Sequence, residues 1–75
     1  MTKEQFTDEL KELCQDLKEN PSNWENRTLE SYLEALIAYT EDVQGYYDNM
    51  KTGTNANIPT WENFLTILKG ASVYE

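Results

Sequence analysis

The side chains with the most capacity for chemistry in this sequence are 14 carboxylates and five tyrosines. Histidine is absent, which removes the commonest general base and the commonest ligand for transition metals. The single cysteine, Cys14, therefore has no histidine to activate it as a nucleophile. The glycines are isolated from one another and form no phosphate-binding loop. We therefore expect no enzymatic activity, no catalytic residue and no cofactor.

The carboxylates also lack the spacing of known metal sites. Glu41, Asp42 and Asp48 do not follow the alternation of an EF-hand loop. A dinuclear carboxylate site would need a Glu-x-x-His pair, which a chain without histidine cannot supply. We therefore expect no metal site.

Acidic and aromatic side chains coincide between about residues 30 and 50. Tyrosines anchor protein interfaces because each offers a large rigid ring and a polar tip. The candidate partner-binding residues are Glu34, Glu41, Asp42, Tyr46, Tyr47 and Asp48. In the other interpretation, the tyrosines line the core and the acids only keep the chain soluble. Because adjacent residues of a helix point in different directions, we do not expect Tyr46 and Tyr47 to be buried together.

Six basic and 14 acidic side chains give the chain a net charge of −8. This charge repels phosphate groups, so we expect neither nucleic acid nor an anionic membrane as a partner, and a basic protein is the natural electrostatic complement. The sequence shows no apolar signal region and no apolar run long enough to span a bilayer. One cysteine cannot form an internal disulfide. We therefore expect a single cytoplasmic domain over residues 1–75.

Three segments with helical periodicity must position these side chains. Each follows a threonine that can act as the N-cap, namely Thr2, Thr28 and Thr60. Gln5 completes a capping box with Thr2, and Pro21 ends the first helix. The helices are predicted over about residues 2–19, 28–49 and 60–73. With no strand predicted, the fold class is all-α, a small antiparallel bundle of three helices.

Apolar residues give each predicted helix one face toward the core. In the first helix these residues are Phe6, Leu10, Leu13, Cys14 and Leu17, with Cys14 expected to be buried. The second helix repeats Leu29, Leu36, Val43 and Met50 every seven residues, and Tyr32, Tyr39 and Tyr46 at the same interval. The third helix contributes Trp61, Phe64, Leu65, Leu68 and Ala71. We expect Trp24 and Trp61 to close the two ends of the core.

Small residues form a further strip along the second helix, made of Ser31, Ala35, Ala38 and Gly45. Such a strip lets another backbone approach closely. Gly45 lowers helix stability, so it marks a kink, an early helix end or a close contact. The alternative hypothesis for function is therefore a homodimer, formed through Tyr32, Tyr39 and Tyr46 or through this strip.

Four segments resemble the pattern of a family of small acidic bacterial proteins known only as a domain of unknown function. They read WENRTLESYLEAL at residues 24–36, GYYDN at 45–49, PTWENF at 59–64 and LKGASVYE at 68–75. The resemblance covers roughly residues 24–75 with consistent order and spacing. It implies a bacterial source and an intracellular protein, and it brings no activity and no catalytic residue.

The acidic second helix followed by Tyr46 and Tyr47 is also similar to the surface of the immunity proteins of nuclease colicins. In that family, an acidic helix and a nearby tyrosine pair block a basic nuclease. The colicin family has four helices and places its tyrosine pair in a short third helix, so the similarity concerns the surface and not kinship. The leading hypothesis is an interaction module that binds a basic protein partner, with an immunity-type inhibitor as one form of it.

Overall fold

The computed structural model describes residues 1–74 and contains three α-helices in this part of the chain. The helices are α1 (Lys3–Glu19), α2 (Leu29–Asn49) and α3 (Trp61–Val73), with a short 3₁₀ turn at Pro21–Asn23 after α1. No strand occurs among residues 1–74. The predicted all-α fold is therefore confirmed, and each helix begins and ends within about one residue of its predicted bounds.

Threonine side chains fix the start of each helix. Thr2, Thr28 and Thr60 accept hydrogen bonds from the backbone N–H of Gln5, Ser31 and Asn63. Gln5 completes the capping box predicted for α1, and Ser31 forms a second box with Thr28. Each cap satisfies amide groups that the helix itself leaves free, which typically stabilises a helix by about 1 kcal/mol.

The helices alternate in direction along the chain. Phe6 near the start of α1 packs on Trp61 at the start of α3, and Glu9 pairs with Lys69 further along both helices, so α1 and α3 run in the same sense. Tyr47 near the end of α2 meets Asn63 near the start of α3, so these two helices run in opposite senses. The arrangement is an up-down-up bundle in which α3 contacts both other helices.

The fully buried core is small. Its apolar members are Trp24, Ala35, Val43, Tyr47, Leu65 and Ala71. The Cα atoms extend only 19 Å along the shortest axis, which leaves room for two layers of helices. Trp24 closes one end of the core as predicted, and its indole N–H donates to Asp16 at 2.8 Å.

Several residues expected in the core lie at the surface. Cys14 is exposed, Trp61 is 38% exposed, and the heptad residues Leu29 and Met50 are 75% and 62% exposed. For Cys14 and Leu29 the reason is the position of α1, which packs on α3 and on the 3₁₀ turn and makes few contacts with α2. The parts of α1 and α2 that would have covered each other are left open to solvent.

Candidate functional site

The residues of the recognised sequence pattern around Trp24 hold the fold together. The side-chain N–H groups of Asn26 donate to the carbonyl oxygens of Ala71 and Tyr74, at 2.9 and 2.7 Å. The backbone N–H groups of Glu25 and Asn26 both donate to the Ser72 carbonyl. These bonds satisfy carbonyls that the end of α3 cannot pair within the helix. This part of the pattern therefore encodes the attachment of a loop to α3.

A second hydrogen-bond network ties the end of α2 to the start of α3. The Tyr47 hydroxyl donates to the Asn63 side-chain oxygen at 2.8 Å, and both residues are buried. The Asn63 side-chain nitrogen donates to the Asn55 and Ile58 carbonyls, which shapes the intervening loop. Because Tyr47 is only 6% exposed, it has no surface to offer a partner. As expected, Tyr46 and Tyr47 are not buried together.

The structure does not gather the six predicted partner-binding residues into one patch. Glu34, Glu41 and Asp48 are exposed and lie seven residues apart, so they line one side of α2. Asp42 lies on a different side and accepts a hydrogen bond from the Tyr74 hydroxyl. Tyr46, 46% exposed, follows Asp42 by one helical turn. Glu34, Glu41 and Asp48 thus belong to one surface of α2, and Asp42 and Tyr46 belong to another.

Tyr32 and Tyr39 of α2 pack toward α3 and not toward an open surface. The Tyr32 hydroxyl donates to the Leu68 carbonyl at 2.7 Å, and the Tyr39 ring packs edge-on against Tyr74. Burial raises the pKa of both Tyr32 and Tyr39 above the ordinary value because it disfavours the charged phenolate. Tyr32 and Tyr39 are thus half-buried by contacts within the chain, which leaves Tyr46 as the exposed ring of the three. A homodimer through these tyrosines stays a prediction.

Most of the small-residue strip on α2 is covered within the chain. Ala35 is buried, and Ser31 and Ala38 are half-buried. α2 continues past Gly45 to Asn49, and a Cβ built on Gly45 meets no atom within 4 Å. Gly45 therefore marks neither an early helix end nor a close contact. The glycine in close contact is Gly70, whose missing Cβ makes room for the Tyr39 ring.

An open apolar groove lies between α1 and α2. Its volume is about 380 Å³, and Leu10, Leu13, Cys14 and Leu17 line it from α1. From the other side it is lined by Trp24, by Asn26, Arg27 and Thr28 of the loop before α2, and by Leu29 and Tyr32 of α2. A second apolar recess of about 330 Å³ is lined by Phe6 of α1, Leu36 and Thr40 of α2, and Phe64, Ile67 and Leu68 of α3. Both recesses are open to solvent.

An exposed apolar ridge on α2 adds to these recesses. Leu29, Leu33 and Ile37 recur every four residues and are 75%, 46% and 63% exposed. We call the combined surface the α1–α2 face. It comprises Phe6, Leu10, Leu13, Cys14, Leu17, Leu29, Leu33, Leu36, Ile37 and Phe64. The four-residue spacing of the ridge was the sequence signal for this face, but the heptad of Leu29, Leu36, Val43 and Met50 obscured it.

Charged side chains of opposite sign border the two sides of the α1–α2 face. On α2, the exposed acids Glu30, Glu34 and Glu41 lie beside the ridge, and we call them the acidic rim. On α1, exposed Lys11 and Lys18 lie beyond Cys14 beside the apolar arc, and exposed Lys3 lies at the N-terminal end of the arc; we call these three lysines the basic rim. The ion pairs within residues 1–74 join Met1 to Glu62 and Lys69 to Glu9, so neither rim is neutralised by an ion pair there.

The α1–α2 face is apolar, and its thiol, Cys14, has no histidine to activate it because the sequence contains none. Over residues 1–74, no three His, Cys, Asp or Glu side chains are grouped so as to hold a metal ion. None of the helices described is both long and apolar enough to cross a membrane.

Comparison with known proteins agrees with the resemblance seen in the sequence. The model of a protein family described as a family of unknown function matches residues 2–75. The similarity thus extends through α1, beyond the region of residues 24–75 that carried the resemblance. Neither a curated protein nor a solved structure gives a significant match to the chain.

Proposed function

The chain belongs to DUF7660, a family of unknown function, and we propose that it is a protein–protein interaction module that docks its partner on the α1–α2 face. The observation that carries the proposal is the exposed apolar ridge of α2 together with two apolar recesses, one lined by α1 and α2 and one lined by all three helices. Ligand and peptide grooves of helical proteins are built in this way, with apolar walls and charged edges.

The surface area of the molecule supports this proposal. The accessible surface is 5385 Å² for a chain of 8.8 kDa. The scaling of surface with mass gives about 4,800 Å² for a folded monomer of that size, so roughly 600 Å² more than usual is exposed. This excess agrees with an incompletely covered core, whose exposed apolar side chains include Leu29, Leu33 and Ile37. Contiguous exposed apolar side chains on a folded protein typically mark interaction sites.

The partner that fits the face is an amphipathic helix with basic residues along the edge that meets α2. Its apolar side would cover Leu33 and Ile37, and its basic edge would lie against Glu30, Glu34 and Glu41. The net charge of −8 favours the approach of a basic protein as well. A basic partner thus remains our proposal, with the docking surface moved to the α1–α2 face. Inhibition of a basic toxin would be one use of such docking and stays a prediction.

Binding of synthetic helices to the dilute protein tests the proposal. We expect an amphipathic helix made of leucine and lysine to bind, and a matched helix of leucine and glutamate to bind much more weakly. Ile37→Glu places a charge on the apolar ridge and should remove binding. Met50→Glu is the control, because Met50 is exposed to almost the same fraction, 62% against 63% for Ile37, and lies outside the face.

The salt dependence adds a second readout. Affinity for the leucine–lysine helix should fall as salt screens the acidic rim. Equal binding of both synthetic helices, an equal loss in the Ile37→Glu and Met50→Glu variants, or no binding of either helix would overturn the proposed function.

A further inference from the structure

The chain itself contains a helix of the kind that the α1–α2 face fits. α1 combines an incompletely covered apolar arc, Leu10 to Leu17, with the basic rim of Lys3, Lys11 and Lys18. We infer that the occupant of the α1–α2 face is a second copy of this chain, docked so that α1 of each copy lies over α2 of the other. This inference rests on the proposed function, because it names the partner for the same surface.

Symmetry restricts how two copies can meet face to face. A closed homodimer has a two-fold axis, and residue contacts are then reciprocal. The two-fold axis lies in the plane between the two opposed faces. If the axis is parallel to the helices, α1 of one copy lies on α2 of the other, and each basic rim meets an acidic rim. If the axis is perpendicular to the helices, α1 lies on α1 and lysines meet lysines. Charge complementarity therefore selects the first arrangement.

The heights of the rim charges along the helices agree with this arrangement. Leu10 to Leu17 of α1 line the same groove as Leu29 and Tyr32 of α2, and Phe6 lines the same recess as Leu36 and Thr40. A two-fold axis parallel to the helices leaves the position of every residue along the helices unchanged. Interpolation between those two levels then places Lys11 near the level of Glu34 and Lys3 near the level of Glu41.

A standard interface buries about 800 Å² on each partner. Pairing two copies would place the exposed Leu29, Leu33 and Ile37 inside a four-helix core. In such a dimer, α1 and α2 of each copy would be covered by the other copy on the side that a single chain leaves exposed.

The salt dependence of this dimer should be weaker than that of a complex with a foreign basic protein. Two copies each carry a net charge of −8 and repel each other at long range. Moderate salt screens both this repulsion and the attraction between the rims, while the apolar contact remains. Self-association should therefore change less with salt than binding of the leucine–lysine helix does.

Charge reversal of the rims, followed by sedimentation velocity, tests the inference. One variant carries Lys3→Glu and Lys11→Glu, and the other carries Glu34→Lys and Glu41→Lys. Each variant alone should sediment as a monomer, because identical rims then oppose each other. An equal mixture of the two should form a heterodimer, because both contacts again join opposite charges. A chain with all four substitutions should regain the homodimer for the same reason.

A matched control separates the effect of the rim charges from the effect of net charge. Glu12→Lys with Glu19→Lys changes the net charge as much as the α2 reversal does, but it lies on the other side of α1. This control should keep the dimer. Circular dichroism of every variant shows whether α-helix content is preserved, and recovery in the mixture shows that each variant can still form the interface.

The possible outcomes distinguish this inference from the proposed function. A wild-type chain that stays at 8.8 kDa at high concentration would overturn the second copy as occupant. If that monomer still binds the leucine–lysine helix and Ile37→Glu abolishes the binding, the proposed function stands and the partner is foreign. A dimer that both reversed variants retain would overturn the arrangement of α1 over α2.

Discussion

The Tyr47 hydroxyl donates a hydrogen bond to the Asn63 side-chain oxygen at 2.8 Å, in the buried contact between α2 and α3. The same Asn63 side chain donates to the Asn55 and Ile58 carbonyls. One tyrosine and one asparagine thus join two helices and the loop between them. This places two residues of the family-like pattern in a structural role and leaves them no contact with a partner.

Removing the Tyr47 hydroxyl is expected to destabilise the fold. Tyr47→Phe leaves the buried Asn63 oxygen without its donor, which should lower the free energy of unfolding by roughly 1–3 kcal/mol. Tyr46→Phe is the control, since Tyr46 is 46% exposed. Urea unfolding followed by circular dichroism measures both. Equal stabilities of the two variants would contradict the role assigned to this bond.

Two glycines of the sequence should respond to alanine in opposite ways. Gly45 sits within α2 with nothing within 4 Å of a built Cβ, so Gly45→Ala should stabilise the chain by about 1 kcal/mol through helix propensity. At Gly70 a Cβ overlaps the Tyr39 ring, so Gly70→Ala should destabilise by roughly 1–3 kcal/mol. Thermal unfolding of both variants checks the pair. A gain in stability at Gly70 would show that the Tyr39 ring is not confined there.

The bond between Trp24 and Asp16 should anchor the loop after α1. Asp16→Ala removes the acceptor of the indole N–H, which is 2.8 Å away. We expect a loss of about 1 kcal/mol in the free energy of unfolding. Asp8→Ala, an exposed acid on the same helix, is the control. The measurement is urea unfolding, and equal stabilities would contradict an anchoring role for this bond.

Stability should fall at alkaline pH. Burial raises the pKa of Tyr32 above the ordinary value of 10.0, so the folded chain holds that proton more tightly than the unfolded chain does. The associated stability is present in full below pH 10.0 and is lost as pH rises through the higher folded pKa. Urea unfolding over this alkaline range measures the loss. The free energy of unfolding should fall less steeply with pH in Tyr32→Phe than in the wild-type chain. An identical slope in the two proteins would exclude Tyr32 as a source of the loss.

The sequence predicted the helices well because their signals are local. Thr2, Thr28 and Thr60 mark helix starts through bonds to residues only three positions away. The resemblance also identified the family, although its pattern residues turned out to secure loops and helix ends. Trp24 was correctly placed in the core, since a large ring in a short loop has few other places to pack.

Which part of each apolar face is covered could not be read from periodicity. That depends on where α1 crosses α3, which is set by contacts distant in sequence, such as Phe6 with Trp61. Periodicity predicted that Cys14, Leu29, Leu65 and Val43 would all be buried. In the structure Cys14 and Leu29 are exposed, and Leu65 and Val43 are buried. The candidate site was missed for this reason, since it consists of the uncovered halves of two correctly predicted faces.

Nuclear magnetic resonance spectra of the wild-type chain at successive dilutions show which surface of the molecule is an interface. Backbone signals of Leu33, Ile37 and the exposed side of α1 should shift with concentration, while those around Tyr46 and Asp42 should stay fixed. Shifts confined to Tyr46 and Asp42 would contradict this expectation. Spectra that do not change on dilution, and do not change when the leucine–lysine helix is added, would show that the α1–α2 face is not an interaction surface.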